Sequence, residues 1–346
     1  MYMTFRWYGP NDPINLNYIR QIPKMKGIVS SLHDEATGAA WDLAKIISYK
    51  KNIESYGLNF KVIESIPVHE DIKLGKGSRD EYIDNYITTI KNLAQAGLEV
   101  ITYNFMPVFD WTRTSLDTPF PDGSNALTYK HKDIMAMDPT SPDLTLPAWV
   151  KYNNQELRGL LEAYKNINNE GLWKNLEYFL KAIAPIAHEN KIKLAIHPDD
   201  PPWSIFGLPR IITNKAALER VLSIVDVPEN GLCFCTGSLG ISPENDCVDM
   251  VKTFASQKRI HFAHARNVSI DGDHDFSEVK HTNDVGNIDF TKILKAYFDA
   301  GFDGPIRPDH GRMIWGETGL AGYGLYDRAL GATYLQGIWD AFESTK

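Results

Sequence analysis

The chain has 346 residues, 43% hydrophobic and 23% charged, an ordinary globular composition that suits either two small domains or one large barrel. Its 36 Lys and Arg face 44 Asp and Glu, and the formal charge of -8 disfavours nucleic acid and anionic membrane surfaces and favours a small-molecule partner. The opening MYMTFRWYGPNDP lacks the basic start and apolar stretch of a secretory signal, no run approaches the roughly 18 apolar residues of a membrane span, and the three cysteines are too few and too clustered for a disulfide framework. A cytoplasmic protein with reduced thiols is expected.

Eight β-rich runs follow one another along the chain, most of them trailed by a helix-compatible stretch. They cover residues 5–9 (FRWYG), 27–32 (GIVSSL), 61–65 (KVIES), 100–106 (VITYNFM), 193–197 (KLAIH), 231–236 (GLCFCT), 260–266 (IHFAHAR) and 305–309 (PIRPD). Among the intervening segments, residues 78–96 read as an amphipathic helix begun by Ser78 and stopped at Gly97, and residues 172–190 carry apolar positions at helical spacing. This alternation predicts an α/β fold, a (β/α)₈ TIM barrel forming a single domain over residues 1–346. One interval breaks the rhythm: residues 107–171, rich in Pro, Asp and Thr and then helical, are expected as a long insertion over the barrel mouth after the fourth strand. A doubly wound sheet is the alternative, but the first two turns read GPNDP and HDEATG rather than as a glycine-rich phosphate loop. The later GLAGYG at 319–324 lacks a preceding strand and is expected only to position Tyr323.

In such a barrel the C-terminal strand ends converge on one mouth. Here the ends are polar: Tyr8, His33, Glu64 or Ser65, Asn104, His197, Cys235, His264 and Asp309. Because residues two apart share a strand face, His264 lies with Phe262 while His261 points toward the helices, and Cys233 lies one layer below Cys235. His197, Cys235, His264 and Asp309 on four consecutive runs therefore form the expected metal site, with Arg307 below Asp309 to orient it. Two imidazoles, a thiolate and a carboxylate suit a first-row divalent ion rather than Ca²⁺ or Mg²⁺. His33, Asn104, Asp200, Arg266 and Arg312 are the expected substrate contacts; Asp199 and Asp200 also suit a rigid loop, and either arginine a structural ion pair.

The segments FRWYGPNDP, HEDIKLG (from His69), YNFMPVFDWTRT (from Tyr103), HPDDPP, FCTGS, HFAHARN and RPDHGR make the chain resemble the D-mannonate dehydratase family nearly end to end. The resemblance implies a xylose-isomerase-like barrel, a Mn²⁺ or Fe²⁺ cofactor, and conversion of D-mannonate to 2-keto-3-deoxy-D-gluconate, with the metal on His197, Cys235, His264 and Asp309. Where the family often reads Pro-Gly-Tyr this chain has Ala321, Gly322 and Tyr323, and His274 in the DGDHDF insertion is not promoted to a ligand. Loss of water across C2 and C3 needs proton carriers, and His310 and Tyr323 suit that role better than a metal-bound Asp309. A sugar isomerase, another aldonate dehydratase and a sugar-acid-binding regulator without catalysis are the alternatives, while a barrel endonuclease is argued against by the charge. The aromatic-rich stretch 326–342 suits burial against the barrel or against another subunit of a homo-oligomer.

Overall fold

The computed structural model describes residues 1–141 and 152–345, so part of the 107–171 segment lies outside the described residues. Among the described residues twelve strands are formed: β1 (Tyr2–Arg6), β2 (Gly27–Ser30), β3 (Asn59–Glu64), β4 (Val100–Tyr103), β5 (Ser115–Pro119), β6 (Asn125–Tyr129), β7 (Lys193–Ile196), β8 (Asn230–Cys235), β9 (Ile260–Ala265), β10 (Asn267–Ile270), β11 (Phe276–Val279) and β12 (Pro305–Pro308). Eight of them close a parallel barrel in the order β1-β12-β9-β8-β7-β4-β3-β2. These are the eight β-rich runs of the sequence; the first is displaced to begin at Tyr2, because Tyr2 and Met3 pair with Pro305 and Ile306, the third begins two residues early at Asn59, and the fourth stops at Tyr103.

Strand parity explains the packing. One face of the barrel strands fills the lumen with Val29, Val62, Val100, Ala195, Cys233 and Phe262. The other packs on the helical ring, as Ile28, Ile63, Ile101, Leu194 and Leu232 do. The helix Arg79–Gln95 buries Ile83, Tyr86, Ile90 and Leu93, although Ser78 occupies its N-cap position without a side-chain cap bond. The long helix Asn169–Glu189 starts at an Asn168 cap, a little before the predicted start. In the C-terminal helix Tyr326–Glu343, Leu335 and Trp339 are buried, with Trp339 5.2 Å from Phe298, while Tyr326 and Leu330 stay exposed.

A second sheet, absent from the sequence reading, lies outside the barrel in the order β10-β11-β6-β5. The segment after β4 supplies β5 and β6, the segment after β9 supplies β10 and β11, and the antiparallel pair Phe276↔Tyr129 joins them. These rings stack at 5.2 Å, so an aromatic cross-strand pair locks two distant loops together. No helix among the described residues is long and apolar enough to cross a membrane.

Candidate active site

The C-terminal end of the barrel holds one cavity of about 360 Å³. At its floor His197 follows β7, Cys235 ends β8 and His264 lies opposite Cys235 in the β8–β9 register. Their ligand atoms lie within 4.8 Å of one another. Asp309, just past β12, places Oδ2 3.6 Å from Cys235 Sγ and 3.7 Å from His264 Nδ1.

The surroundings fit these residues to a cation. His197 Nδ1 is 2.7 Å from the Pro198 carbonyl, which requires a proton on Nδ1 and leaves the Nε2 lone pair available. His264 Nε2 lies 3.2 Å from Glu64 Oε1 and 3.3 Å from Cys233 Sγ, whereas its buried Nδ1 has no hydrogen-bond partner among the described residues. A bare buried imidazole nitrogen beside a thiol and a carboxylate matches the donor chemistry of a first-row divalent metal. The Ser238 amide donates to Cys235 Sγ at 3.4 Å and Arg266 Nη2 lies 3.5 Å away, contacts that fix where the sulfur sits. Cys233 thus fills the lumen as its parity predicts but also touches the His264 ring; burial pushes its thiol well up, so it stays protonated.

Around this floor runs a buried ionic network. Arg307 donates to Glu64 through Nε and Nη2 at 3.0 and 2.9 Å and places Nη1 2.6 Å from Asp309 Oδ1. Burial alone would raise the Asp309 and Glu64 carboxyls, yet Arg307 heads the opposing charges that hold both well below the usual range. Arg266 donates to Asp200 and Ser238, each at 2.6 Å, and Arg113 to Asp200 at 2.8 and 3.2 Å. Asp199 accepts from the Ile211 and Ile212 amides, which makes the 199–200 turn a rigid one.

Beside the floor, Glu278, His310 and Tyr323 form a hydrogen-bonded chain. Both Glu278 oxygens lie 2.8 Å from His310 Nδ1, and His310 Nε2 lies 2.7 Å from the Tyr323 hydroxyl. Burial raises the Tyr323 phenol well above its ordinary value, so it remains a proton donor. Trp111 stands edge-on to the His310 ring at 5.7 Å.

His33, Asn104, His197, Asp200, His264, Arg266, Asp309, His310 and Tyr323 all line the cavity. Arg312 does not: Asp327 and Asp122 take up its guanidinium, turning it away from the mouth. Asp200 reaches the wall with its oxygens engaged by arginines. His261 faces outward and bonds the Leu194 carbonyl, and His274 sits exposed against Asp273, as a non-ligand does. Sequence reasoning missed Arg6, which shares the inner face of β1 with Thr4, together with Arg113, Ser238 and Glu278. No local motif marks these; Glu278 approaches His310 only because β11 pairs with β6 and β10.

A TIM barrel whose mouth combines a His/Cys/His group able to hold a metal with a carboxylate–imidazole–phenol chain is an enzyme of the metal-assisted, proton-transferring kind. The sequence model of the D-mannonate dehydratase family matches residues 1–346, and the chain belongs to that family. It is 57% identical to mannonate dehydratase 2 of Halalkalibacterium halodurans, covering 99% of this chain and 100% of the relative. It is 51% identical to the mannonate dehydratase of Streptococcus uberis, over 99% and 98% of the two chains. The solved mannonate dehydratase of Streptococcus suis serotype 2 superposes with a TM-score of 0.94 at 48% identity, over 100% of this chain and 95% of that one. A D-psicose 3-epimerase from Clostridium cellulolyticum, at 11% identity and a TM-score of 0.56, shares the barrel fold alone.

Proposed function

We infer that this protein is a hydro-lyase that removes water from D-mannonate to give 2-keto-3-deoxy-D-gluconate. The observation that carries the reading is the meeting of the His197/Cys235/His264 group, whose two histidines line the cavity, with the His310–Tyr323 hydrogen bond in the same cavity. It is supported by full-length identity to proteins named for this activity.

Elimination across C2 and C3 takes the proton beside the carboxylate and expels the C3 hydroxyl as water; the resulting enol then becomes the 2-keto acid. A first-row divalent cation, narrowed to Mn²⁺ or Fe²⁺ by the family resemblance and not by the donors, would be held by His197, Cys235, His264 and Asp309 and would supply positive charge against the negative charge that develops beside the substrate's carboxylate. His310 is the proton carrier, because its Nε2 faces the cavity while Nδ1 is occupied by Glu278. Tyr323, kept protonated by burial, donates toward the departing hydroxyl, and the proton that His310 takes from the substrate returns to it along their hydrogen bond. Arg266 and Arg307 add fixed positive charge against developing negative charge, and His33 and Asn104, which also line the cavity, orient distal hydroxyls. Asp200 acts by holding Arg266 in place.

Incubation with D-mannonate and Mn²⁺ or Fe²⁺, followed by 2-keto acid formation, tests the reading, with D-gluconate and D-altronate as discriminating substrates. Substrate binding without product under every metal would mark a sugar-acid-binding protein instead. His310→Asn is expected to cut turnover by about 10² or more with metal content retained; unchanged turnover removes His310 from the role.

A further inference from the structure

The acid–base chain does not end within the barrel. Its third member, Glu278, comes from β11 of the outer sheet and is 1% exposed. Besides the two 2.8 Å contacts to His310, its Oε1 accepts from Arg113 Nε and Nη2 at 3.0 and 2.6 Å and lies 3.3 Å from Arg266 Nη1. We propose that Glu278 is a positioning residue for the dehydration, fixing His310 in the single tautomer whose bare Nε2 faces Tyr323 and the substrate.

Donors and acceptors around the imidazole fix its tautomer. Burial would raise the Glu278 carboxyl, but His310, Arg113 and Arg266 together bring it down to about 2, so it is an ionised, acceptor-only group. Arg266 Nη1, a donor, lies 3.3 Å from His310 Nδ1, but both carboxylate oxygens are nearer at 2.8 Å, and these acceptors place the proton on Nδ1. Nε2 is then bare and accepts from the Tyr323 hydroxyl, and donation runs from Tyr323 through His310 to Glu278. Two arginines, Arg113 and Arg266, face two carboxylates, Asp200 and Glu278, so the cluster balances its own charge and the carboxylate stays ionised beside the imidazole. The outer sheet therefore reaches the site. It carries the group that sets the direction of the proton chain.

Glutamine at 278 keeps the shape and reverses the chemistry. Its one oxygen is drawn to the arginine donors, and its amide N–H₂ then faces His310 Nδ1. The proton moves to Nε2, which can no longer accept from Tyr323. In a carboxylate–histidine triad the comparable exchange costs about 10⁴ in turnover.

The proposal rests on His310 as proton carrier, and its test separates the two. Metal-loaded Glu278→Gln, Glu278→Asp, His310→Asn and the Glu278→Gln/His310→Asn double variant are compared on D-mannonate with Mn²⁺, with KM and bound metal measured alongside kcat. Glu278→Gln is expected to lose about 10² or more in kcat with KM and metal content retained. Glu278→Asp, which keeps the charge but shortens the reach, should fall between it and the wild type, and the double variant should be no slower than His310→Asn. Wild-type kcat in Glu278→Gln, or losses that multiply in the double variant, would overturn the proposal, since a residue acting through His310 has nothing left to do once His310 is gone. Should Glu278→Gln fail to fold, Glu278→Asp decides: wild-type kcat per bound metal overturns the proposal and a reduced value sustains it. Normal turnover in His310→Asn would instead sink the reading of His310 itself.

Discussion

At the scale of single residues, face selection within a strand decides most of the site. Cys235 and His264 turn to the cavity floor while His261 points outward, and all three follow from period-two alternation legible in the sequence. Glycine makes room for that outward histidine: a Cβ on Gly231 would sit on the His261 ring and 2.6 Å from the Arg259 carbonyl. The two lumen cysteines can be told apart by experiment. Cys235→Ser should weaken metal binding at least tenfold or so, since even outer-shell partners are worth about 10- to 100-fold, while Cys233→Ser should keep full metal stoichiometry; elemental analysis of dialysed protein checks both, and equal loss would put Cys233 in the ligand set. Arg312 was misplaced because an arginine near a strand end says nothing about its partners, and Asp327 on the final helix claims it.

Among the elements, the eight barrel strands were readable because all are short and most are apolar and buried on both faces, as β2, β4 and β9 are. The outer sheet was not. Its edge strand Ser115–Pro119 is polar and largely exposed, and it exists only through pairing with β6. Glu278 and Arg113 were illegible for the same reason: their neighbours are set by tertiary pairing. The sheet's aromatic joint gives a prediction at this level. Phe276→Ala removes a fully buried ring from the β6–β11 junction, worth about 3–5 kcal/mol locally. Turnover should fall as Glu278, two residues on, loses its place, while far-ultraviolet circular dichroism keeps the barrel signal. Intact turnover would show that the junction does not hold the site together.

For the whole molecule, buried charge sets the response to acid. Burial lowers the His261 imidazole to about 4 and also lowers His281. A base depressed in the folded state takes up its proton first in the unfolded chain, so stability is complete above the unfolded value near 6.5 and declines as pH falls from there toward about 4. The carboxylates act lower down. Glu278 is brought to about 2 and Asp200 is likewise held down, in both cases by charges that outweigh burial. Their contribution is intact above the unfolded value near 4 and lost as pH drops toward about 2. Thermal melts of chelator-treated protein should show a midpoint that slips gently below about pH 6.5 and steeply below about pH 4. A midpoint that rises between pH 7 and 5 would contradict this account.

The pairing of Phe276 with Tyr129 also bears on how such a barrel can be altered. Transplanted alone into another barrel, the segment after the fourth strand would arrive with an open β edge, and the segment after the seventh would bring a buried glutamate without Arg113. The two loops form one unit of exchange. Recombination that moves either without the other yields an aggregation-prone edge or a stranded charge, so a change of substrate range by loop shuffling has to carry both.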